Sequence, residues 1–265
     1  MMNYLFDNIR KIQDRLRVAE RIFLFLDYDG TLADIVLHPE DANLPQEVRT
    51  ILSALKKAPR ISVAIVSGRS LNDIRNRVGL NGIHYVGNHG LEIFTPKSGM
   101  RQLLPKETIG ALRTICDRLN CHFKGIEGIL VEDKRCTLAV HYRTVDPRWV
   151  PSILMILEQE IKKSITPLCL HFGKMIFEVR PRRPVNKGTT ILDLLGKADQ
   201  NGVLPIYIGD DQTDEDAFRV LKRRGITIFV GSIPKPTISS AQYYVKDPSE
   251  VHGFLKKIEE NLAGD

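Results

Sequence analysis

Two aspartates one residue apart, Asp27 and Asp29, lie in the segment Asp-Tyr-Asp-Gly-Thr, directly after an apolar run at residues 22–26. A carboxylate at a strand end can attack the phosphorus of a phosphate ester. A second carboxyl group can protonate the leaving alkoxide and then activate water. Gly30 lets the chain turn sharply away. An Asp-Gly turn after a strand is also common without any chemistry, so catalysis requires partners elsewhere in the chain.

A second acidic segment, Gly-Asp-Asp-Gln-Thr-Asp-Glu-Asp, follows the apolar residues 206–208. Two carboxylates repel an approaching phosphate unless a cation neutralises them, and oxygen ligands of this kind suit Mg²⁺. We therefore expect Mg²⁺ as cofactor, with Asp210 as a ligand and Asp214 as a second ligand or as a support of the first. The structural alternative is that these acids only cap the following helix.

Phosphoryl oxygens also need hydrogen-bond donors that are fixed in position as charge moves in the transition state. Ser67 ends the apolar run 61–66, and Lys187 begins a helical pattern in Asn-Lys-Gly, where backbone N–H groups favour anions. Each residue alone would be interpreted as a helix cap or a surface charge. Together with the aspartates, both are candidate phosphate ligands.

Three early apolar runs each end in a polar turn that contains glycine. The runs cover residues 22–26, 61–66 and 83–86, with a helical pattern at 45–57. From residue 186 the same rhythm resumes, with helices at 187–195, 215–223 and about 248–262 and strands at 206–208 and 226–230. Short buried strands that alternate with helices predict a parallel sheet. Ligands of such sheets bind beyond the carboxyl ends of the strands, so we expect the polar clusters to share one crevice.

The pattern between these two parts is different. Helix-like stretches at 106–119 and 147–163 are each followed by two strand-like runs, at 129–132 with 137–142 and at 168–172 with 175–179. This αββαββ order predicts an inserted α+β domain at 104–182. The predicted fold class is therefore α/β, with a doubly wound, Rossmann-like parallel-sheet core at 1–103 and 183–265.

Composition narrows the function further. The 265 residues are 43% hydrophobic and 26% charged, and the apolar runs are much shorter than the roughly 20 residues that span a bilayer. No secretory pattern is recognisable at the start, and the four cysteines form no zinc-ligand spacing. We expect a cytoplasmic protein with reduced thiols and no membrane partner. The net charge of +6 could suggest nucleic acid, but the basic residues are scattered. An anionic small-molecule substrate explains the charge equally well, and a solvated surface explains it best.

The order of the motifs, D-x-D-G-T, S-G-R, N-K-G and G-D-D-x-T-D-E, resembles the haloacid dehalogenase superfamily of aspartate-nucleophile phosphatases over essentially the whole chain. The resemblance implies Asp27 as nucleophile and Asp29 as general acid and base. It also implies that Ser67 and Lys187 bind phosphate. The implied metal site comprises Asp27, the main-chain carbonyl of Asp29, and Asp210, with Asp214 in support.

Within that superfamily the chain is similar to the trehalose-6-phosphate phosphatase family, because the insertion carries Glu-Asp-Lys, His-Tyr-Arg and Gly-Lys segments. In that family the insertion is a cap domain whose sheet holds the disaccharide. The resemblance implies sugar contacts from Glu132, Lys134, Arg143, Lys174 and Glu178. It places Arg69 and the loop Asn88-His89-Gly90 near the domain junction, with Arg69 as a further substrate contact. The structural alternative is a solvated sheet face.

The expected activity is Mg²⁺-dependent hydrolysis of trehalose 6-phosphate through an aspartyl-phosphate. Phosphatases of sucrose 6-phosphate or of hexose phosphates, and phosphohexomutases, remain as alternatives within the superfamily. A catalytically idle sugar-phosphate sensor and a basic nucleic-acid binder are alternatives of other classes. The sequence leaves open the oligomeric state and any association with a trehalose-phosphate synthase.

Overall fold

The computed structural model describes residues 2–36, 38–173, 175–196, 202–232 and 239–263. The chain divides into two compact units: a core unit, Met1–Arg101 with Val185–Asp265, and an inserted unit, Gln102–Pro184. The strands are β1 Asn3–Tyr4, β2 Arg21–Leu26, β3 Ile61–Val66, β4 His84–Gly87, β5 Glu92–Thr95, β6 Gly99–Gln102, β7 Leu130–Asp133, β8 Leu138–His141, β9 Leu168–Gly173, β10 Ile176–Pro181, β11 Val203–Gly209, β12 Ile226–Val230 and β13 Tyr243–Val245. The helices are α1 Ile9–Val18, α2 Gln46–Leu55, α3 Leu71–Val78, α4 Lys106–His122, α5 Val150–Lys162, α6 Lys187–Gly196, α7 Glu215–Leu221 and α8 Pro248–Ala263.

The core unit is built on a nine-stranded sheet in the order β1-β13-β12-β11-β2-β3-β4-β5-β6. All neighbouring strands from β1 to β4 run parallel, whereas β5 is antiparallel to β4. Five of the six residues of β2 are buried, which explains the continuous apolar run of a strand covered on both faces. The predicted α/β class with a parallel core sheet is confirmed. The antiparallel edge was not predicted.

The register of the central strands determines where the chemistry-bearing turns lie. Leu26 on β2 is opposite Ile65 on β3 and Ile208 on β11. The next residues, Asp27 and the turns that begin at Ser67 and Asp210, therefore leave the sheet at the same carboxyl edge. This is the edge at which doubly wound sheets bind ligands.

Helix α3 follows the short turn after β3 and was not predicted. Its first turn is capped by Ser70, whose hydroxyl accepts a hydrogen bond from the Asp73 N–H at 3.2 Å. Gly79 ends the helix in the left-handed conformation, with φ of 65°. Leu71, Ile74 and Val78 are buried, so α3 docks on the sheet immediately after the turn that carries Ser67.

The inserted unit has its own four-stranded antiparallel sheet, in the order β7-β8-β10-β9. Alternate residues of β8 and β10 pack with α4 and α5 in a separate hydrophobic cluster that includes Leu138, Val140, Phe177 and Val179. Strand residues alternate in direction, so Glu178 lies on the opposite face. The two predicted hairpins and the αββαββ order of this unit are found.

All four cysteines are free thiols. Within the described ranges, none of the helices combines the length and the apolar character that crossing a membrane requires.

His84 on β4 leads to a prediction about acid stability. Burial, with a smaller effect from nearby Lys97, lowers the pKa of His84 from 6.5 to about 4. Between these values the unfolded chain binds a proton that the folded chain does not, so the free energy of unfolding falls as the pH falls. Between pH 7 and pH 5, we expect the free energy of unfolding to fall by about 2 kcal/mol less in His84→Phe than in the wild-type protein. Equal losses in both proteins in urea titrations would contradict this.

Candidate active site

Asp27 follows β2, is 5% exposed and forms a buried ion pair with Lys187, the first residue of α6. The Lys187 ammonium donates to Asp27 Oδ1 at 2.7 Å and to Asp214 Oδ1 at 2.6 Å. Burial raises the pKa of Asp27 well above its usual range; Lys187 opposes this rise, and the carboxylates of Asp214 and Asp210 add to it. Burial would lower the pKa of Lys187, but the two bound carboxylates raise it, so the lysine stays charged.

Asp214 is fully buried, and both of its oxygens accept hydrogen bonds from the protein. Oδ1 accepts from Lys187 and from the hydroxyl of Tyr207, and Oδ2 accepts from the Asp211 N–H at 2.9 Å. Asp214 therefore fixes Lys187 and the turn after β11. Sequence analysis missed Tyr207, because a tyrosine within an apolar strand gives no signal of a polar contact at its far end.

The carboxylates of Asp27, Asp210 and Asp214 each offer one oxygen within 4.8 Å of the other two. Two of these carboxylates, Asp27 and Asp214, share the ammonium of Lys187, and the third, Asp210, lies next to them. Such a donor set fits a hard divalent cation. The Asp29 carboxylate is not a member of this group, so any contribution of Asp29 would come from its main chain.

Gly30 makes room for Asp210, and this gives a second prediction. Its φ is 83°, and a Cβ at this position would lie 2.5 Å from the Asp210 carboxyl carbon. Gly30→Ala should therefore displace Asp210 and lower kcat/KM by about a hundredfold. Gly110→Ala is the matched control, because nothing lies within 4 Å of that Cβ in helix α4. Unchanged kcat/KM in Gly30→Ala would contradict the assignment.

Asp29 is held by Arg69. The guanidinium donates from Nε to Oδ2 at 2.7 Å and from Nη2 to Oδ1 at 2.6 Å, a two-pronged pair, and Nη1 donates to Asp73 at 2.8 Å. Arg69 also lies over the ring of Tyr28. Burial would raise the pKa of Asp73, but hydrogen bonds from Arg69 and Arg77 lower it. Arg69 was expected to contact the substrate. In the structure its guanidinium binds two aspartates, Asp29 and Asp73.

In the inserted unit, Glu178 lies at the centre of a polar cluster and is 5% exposed. It accepts hydrogen bonds from the hydroxyl of Thr137 at 3.2 Å and from Arg180 Nε at 2.7 Å. Lys134 forms an ion pair with it at 3.6 Å. The predicted residues Lys134 and Glu178 are therefore neighbours, and sequence analysis missed Thr137 and Arg180, which touch the same carboxylate.

The remaining predicted sugar contacts are placed as follows. Glu132 on β7 pairs with the ring of His141 on β8 at 2.9 Å and keeps 39% of its side chain exposed. Arg143 lies in the turn after β8 and is partly buried. Lys174 lies outside the described residues.

Comparison with known proteins gives a consistent result. A family model for trehalose-phosphatase matches residues 25–249. Trehalose-phosphate phosphatase B of Arabidopsis thaliana is 36% identical over 256 residues, which cover 91% of this chain and 67% of that protein. Trehalose 6-phosphate phosphatase RA3 of Zea mays is 34% identical over 262 residues, which cover 91% of this chain and 70% of that protein.

Solved structures agree. A trehalose-6-phosphate phosphatase related protein, 27% identical, aligns with a TM-score of 0.79 over 90% of this chain and 97% of that chain. The C-terminal domain of Candida albicans trehalose-6-phosphate phosphatase, 23% identical, aligns with a TM-score of 0.81 over 98% of both chains and supports the fold alone. The fold and its relatives define a phosphatase that acts on phosphoric monoesters. This chain belongs to the trehalose-phosphatase family.

Proposed function

We propose that this chain hydrolyses trehalose 6-phosphate to trehalose and phosphate through an aspartyl-phosphate at Asp27, with Mg²⁺ as cofactor. The observation that carries the mechanism is the buried cluster at the end of β2, where the Lys187 ammonium bridges Asp27 and Asp214. The substrate follows from the family and from its relatives, which are named as trehalose-phosphate phosphatases.

Two displacements at phosphorus complete the reaction. An Asp27 carboxylate oxygen attacks phosphorus, the bond from phosphorus to the sugar oxygen breaks, and Asp29 protonates the sugar oxygen. For this step one Asp29 oxygen must leave the Arg69 guanidinium and carry a proton. Asp29 then takes a proton from water, the water oxygen attacks phosphorus, and the bond to Asp27 breaks to release phosphate. Ser67 and Lys187 bind the phosphoryl oxygens, and Arg69 keeps the Asp29 side chain in one orientation.

Asp27 and Asp210 would hold the Mg²⁺ ion, with the main-chain carbonyl of Asp29. A bound Mg²⁺ ion neutralises charge on the phosphoryl group during its transfer. Asp214 acts mainly through Lys187, since both of its oxygens already accept hydrogen bonds within the protein. Although Asp214 belongs to the acidic group, we assign it a supporting role rather than a direct bond to Mg²⁺.

The inserted unit supplies sugar specificity in this proposal, with residues 104–182 as the cap domain. Glu178 and Glu132 lie on the sheet face opposite the hydrophobic cluster, and Lys134 pairs with Glu178. Arg143 and Lys174 complete the proposed set. Sugar hydroxyls need paired donors and acceptors. A site that provides both rejects analogues without the matching hydroxyls.

The four free cysteines support a reducing compartment. We place the protein in the cytoplasm, with a sugar phosphate as its small-molecule partner and without nucleic-acid or membrane partners.

A phosphate-release panel tests the substrate. Trehalose 6-phosphate, sucrose 6-phosphate, glucose 6-phosphate and mannose 1-phosphate are compared with Mg²⁺ and with excess EDTA. We expect the highest kcat/KM for trehalose 6-phosphate and no release with EDTA. A higher value for another sugar phosphate would refute the substrate. Conversion of a hexose phosphate to its isomer without phosphate release would favour a mutase.

A further inference from the structure

The turn after β3 is bound by a second segment of the core unit. The Ser67 N–H donates to the Val86 carbonyl at 2.9 Å, and the His89 N–H donates to the Ser67 carbonyl at 3.1 Å. The Asn88 N–H donates to the Arg69 carbonyl at 2.7 Å. Two main-chain hydrogen bonds thus connect the turn that carries Ser67 and Arg69 to the loop after β4, and a third connects it to β4 itself.

That loop has an unusual backbone. Asn88 and His89 have φ values of 48° and 56°, in the left-handed region, which is costly for residues other than glycine. Such a conformation persists only where the surrounding contacts enforce it. Asn88 is fully buried, and its side-chain amide donates a hydrogen bond to Glu92 Oε2 at 2.8 Å.

Glu92 on β5 is 3% exposed and belongs to none of the segments that carry the proposed chemistry. The same oxygen, Oε2, accepts a second hydrogen bond from the Leu71 N–H at 2.9 Å. Leu71 is the first residue of α3, where a negative charge is favourable. One buried carboxylate oxygen therefore connects the loop after β4 with the start of the helix that follows the Ser67 turn.

Arg69 lies between these two attachments. Its carbonyl accepts from Asn88, and its N–H donates to the Ser67 hydroxyl at 3.1 Å. Its guanidinium makes the two hydrogen bonds to Asp29. A shift of the Arg69 backbone would therefore move the side chain that orients Asp29.

We propose that Glu92 and Asn88 form a positioning pair that fixes the turn from Ser67 to Arg69, and so holds the Arg69 guanidinium on Asp29. The proposal rests on the function proposed for Asp29 as acid and base. Glu92 and Asn88 act through Arg69, so the effect should fall on kcat more than on KM. Displacements of about 1 Å at a catalytic group cost up to about a hundredfold in rate.

The test compares two replacements of Glu92. Glu92→Leu keeps the volume and loses both hydrogen bonds, and we expect kcat to fall ten- to a hundredfold with KM changed less than about threefold. Glu92→Gln should keep kcat within about threefold, because a single amide oxygen can accept both bonds. Rates are referred to the folded fraction measured by near-ultraviolet circular dichroism.

Tyr85→Phe is the matched structural control. It removes a hydroxyl that donates to the Leu80 carbonyl at 2.6 Å and accepts from the Leu80 N–H at 3.3 Å, both away from the Ser67 turn. We expect a lower melting temperature and an unchanged kcat. If Glu92→Leu behaves in the same way as Tyr85→Phe, the proposal is overturned.

Asn88→Gly keeps the test decisive if Glu92→Leu does not fold. Glycine adopts the left-handed backbone at no cost and keeps the N–H that bonds Arg69, but it loses the amide that binds Glu92. We expect kcat to fall about tenfold, and an unchanged kcat would overturn the pairing. Failure of trehalose 6-phosphate in the substrate panel is a separate outcome, because these ratios hold for whichever phosphate ester is turned over best.

Discussion

Asp27→Asn should abolish phosphate release while leaving the fold as stable as before, or more stable. Asparagine keeps an oxygen that accepts from Lys187 but provides no carboxylate to attack phosphorus, so we expect kcat to fall at least a thousandfold. The substitution also removes one of three clustered carboxylates, which relieves the repulsion among them. Phosphate release and thermal unfolding at pH 7 measure the two effects.

Asp14→Asn is the control for this experiment, since Asp14 is 71% exposed in a surface pair with Arg17. It should change neither activity nor melting temperature by a measurable amount. Turnover by Asp27→Asn above a few tenths of a percent of the wild-type rate would contradict Asp27 as the nucleophile.

Lys187→Met should cause the largest loss of stability among single substitutions in the site. The methionine leaves Asp27 and Asp214 buried, 5% and 0% exposed, without their shared cation. Removal of one partner of a buried ion pair costs about 3–5 kcal/mol. We therefore expect a melting temperature lower by on the order of 10 °C, together with loss of activity. Thermal unfolding in parallel with the phosphate-release assay checks both.

Two further variants isolate the cause. Lys163→Met removes an exposed lysine that pairs with Glu160 at 2.6 Å and should cost about 1 kcal/mol or less. The double variant Lys187→Met with Asp27→Asn should regain part of the lost stability, because it removes one of the two carboxylates that have lost their shared cation. A double variant less stable than Lys187→Met would show that charge is not the reason for the loss.

The core sheet was predictable from the sequence because its central strands are buried on both faces. Strands β2 and β3 are continuous apolar runs, and each ends in a polar turn. The two edges of the sheet were missed. Strands β1 and β6 have little buried surface, so neither carries the apolar signal of a central strand.

Helix α3 was missed although its sequence carries the signals of a helix. Ser70 and Gly79 mark its two ends, and the buried residues Leu71, Ile74 and Val78 have helical spacing. The Ser-Gly-Arg motif was interpreted as a functional turn, and the helix that follows it was not predicted. The two descriptions are compatible, since the motif ends at Arg69 and the helix begins two residues later, at Leu71.

The side-chain network of the site was less predictable than its motifs. The sequence indicates that Asp29 and Arg69 follow adjacent strands, but their pairing depends on the orientation of each side chain. The bond from Tyr207 to Asp214 and the bonds to Glu92 likewise join residues through packing. The periodicity of a sequence indicates which face of a helix or strand a residue lies on. It does not indicate which atoms of distant residues form hydrogen bonds, and this is seen only in the folded chain.

The most direct test of the mechanism is to trap the phosphoenzyme. Enzyme is mixed with trehalose 6-phosphate radiolabelled in the phosphate, quenched in acid within one turnover, and digested for mass spectrometry. We expect the label on the peptide that contains Asp27 and none in Asp27→Asn. In Asp29→Asn we expect both the formation and the loss of the label to be slower, because Asp29 acts in both displacements. Label on another residue, or turnover of the substrate by the wild-type enzyme without any labelled peptide, would contradict Asp27 as the nucleophile.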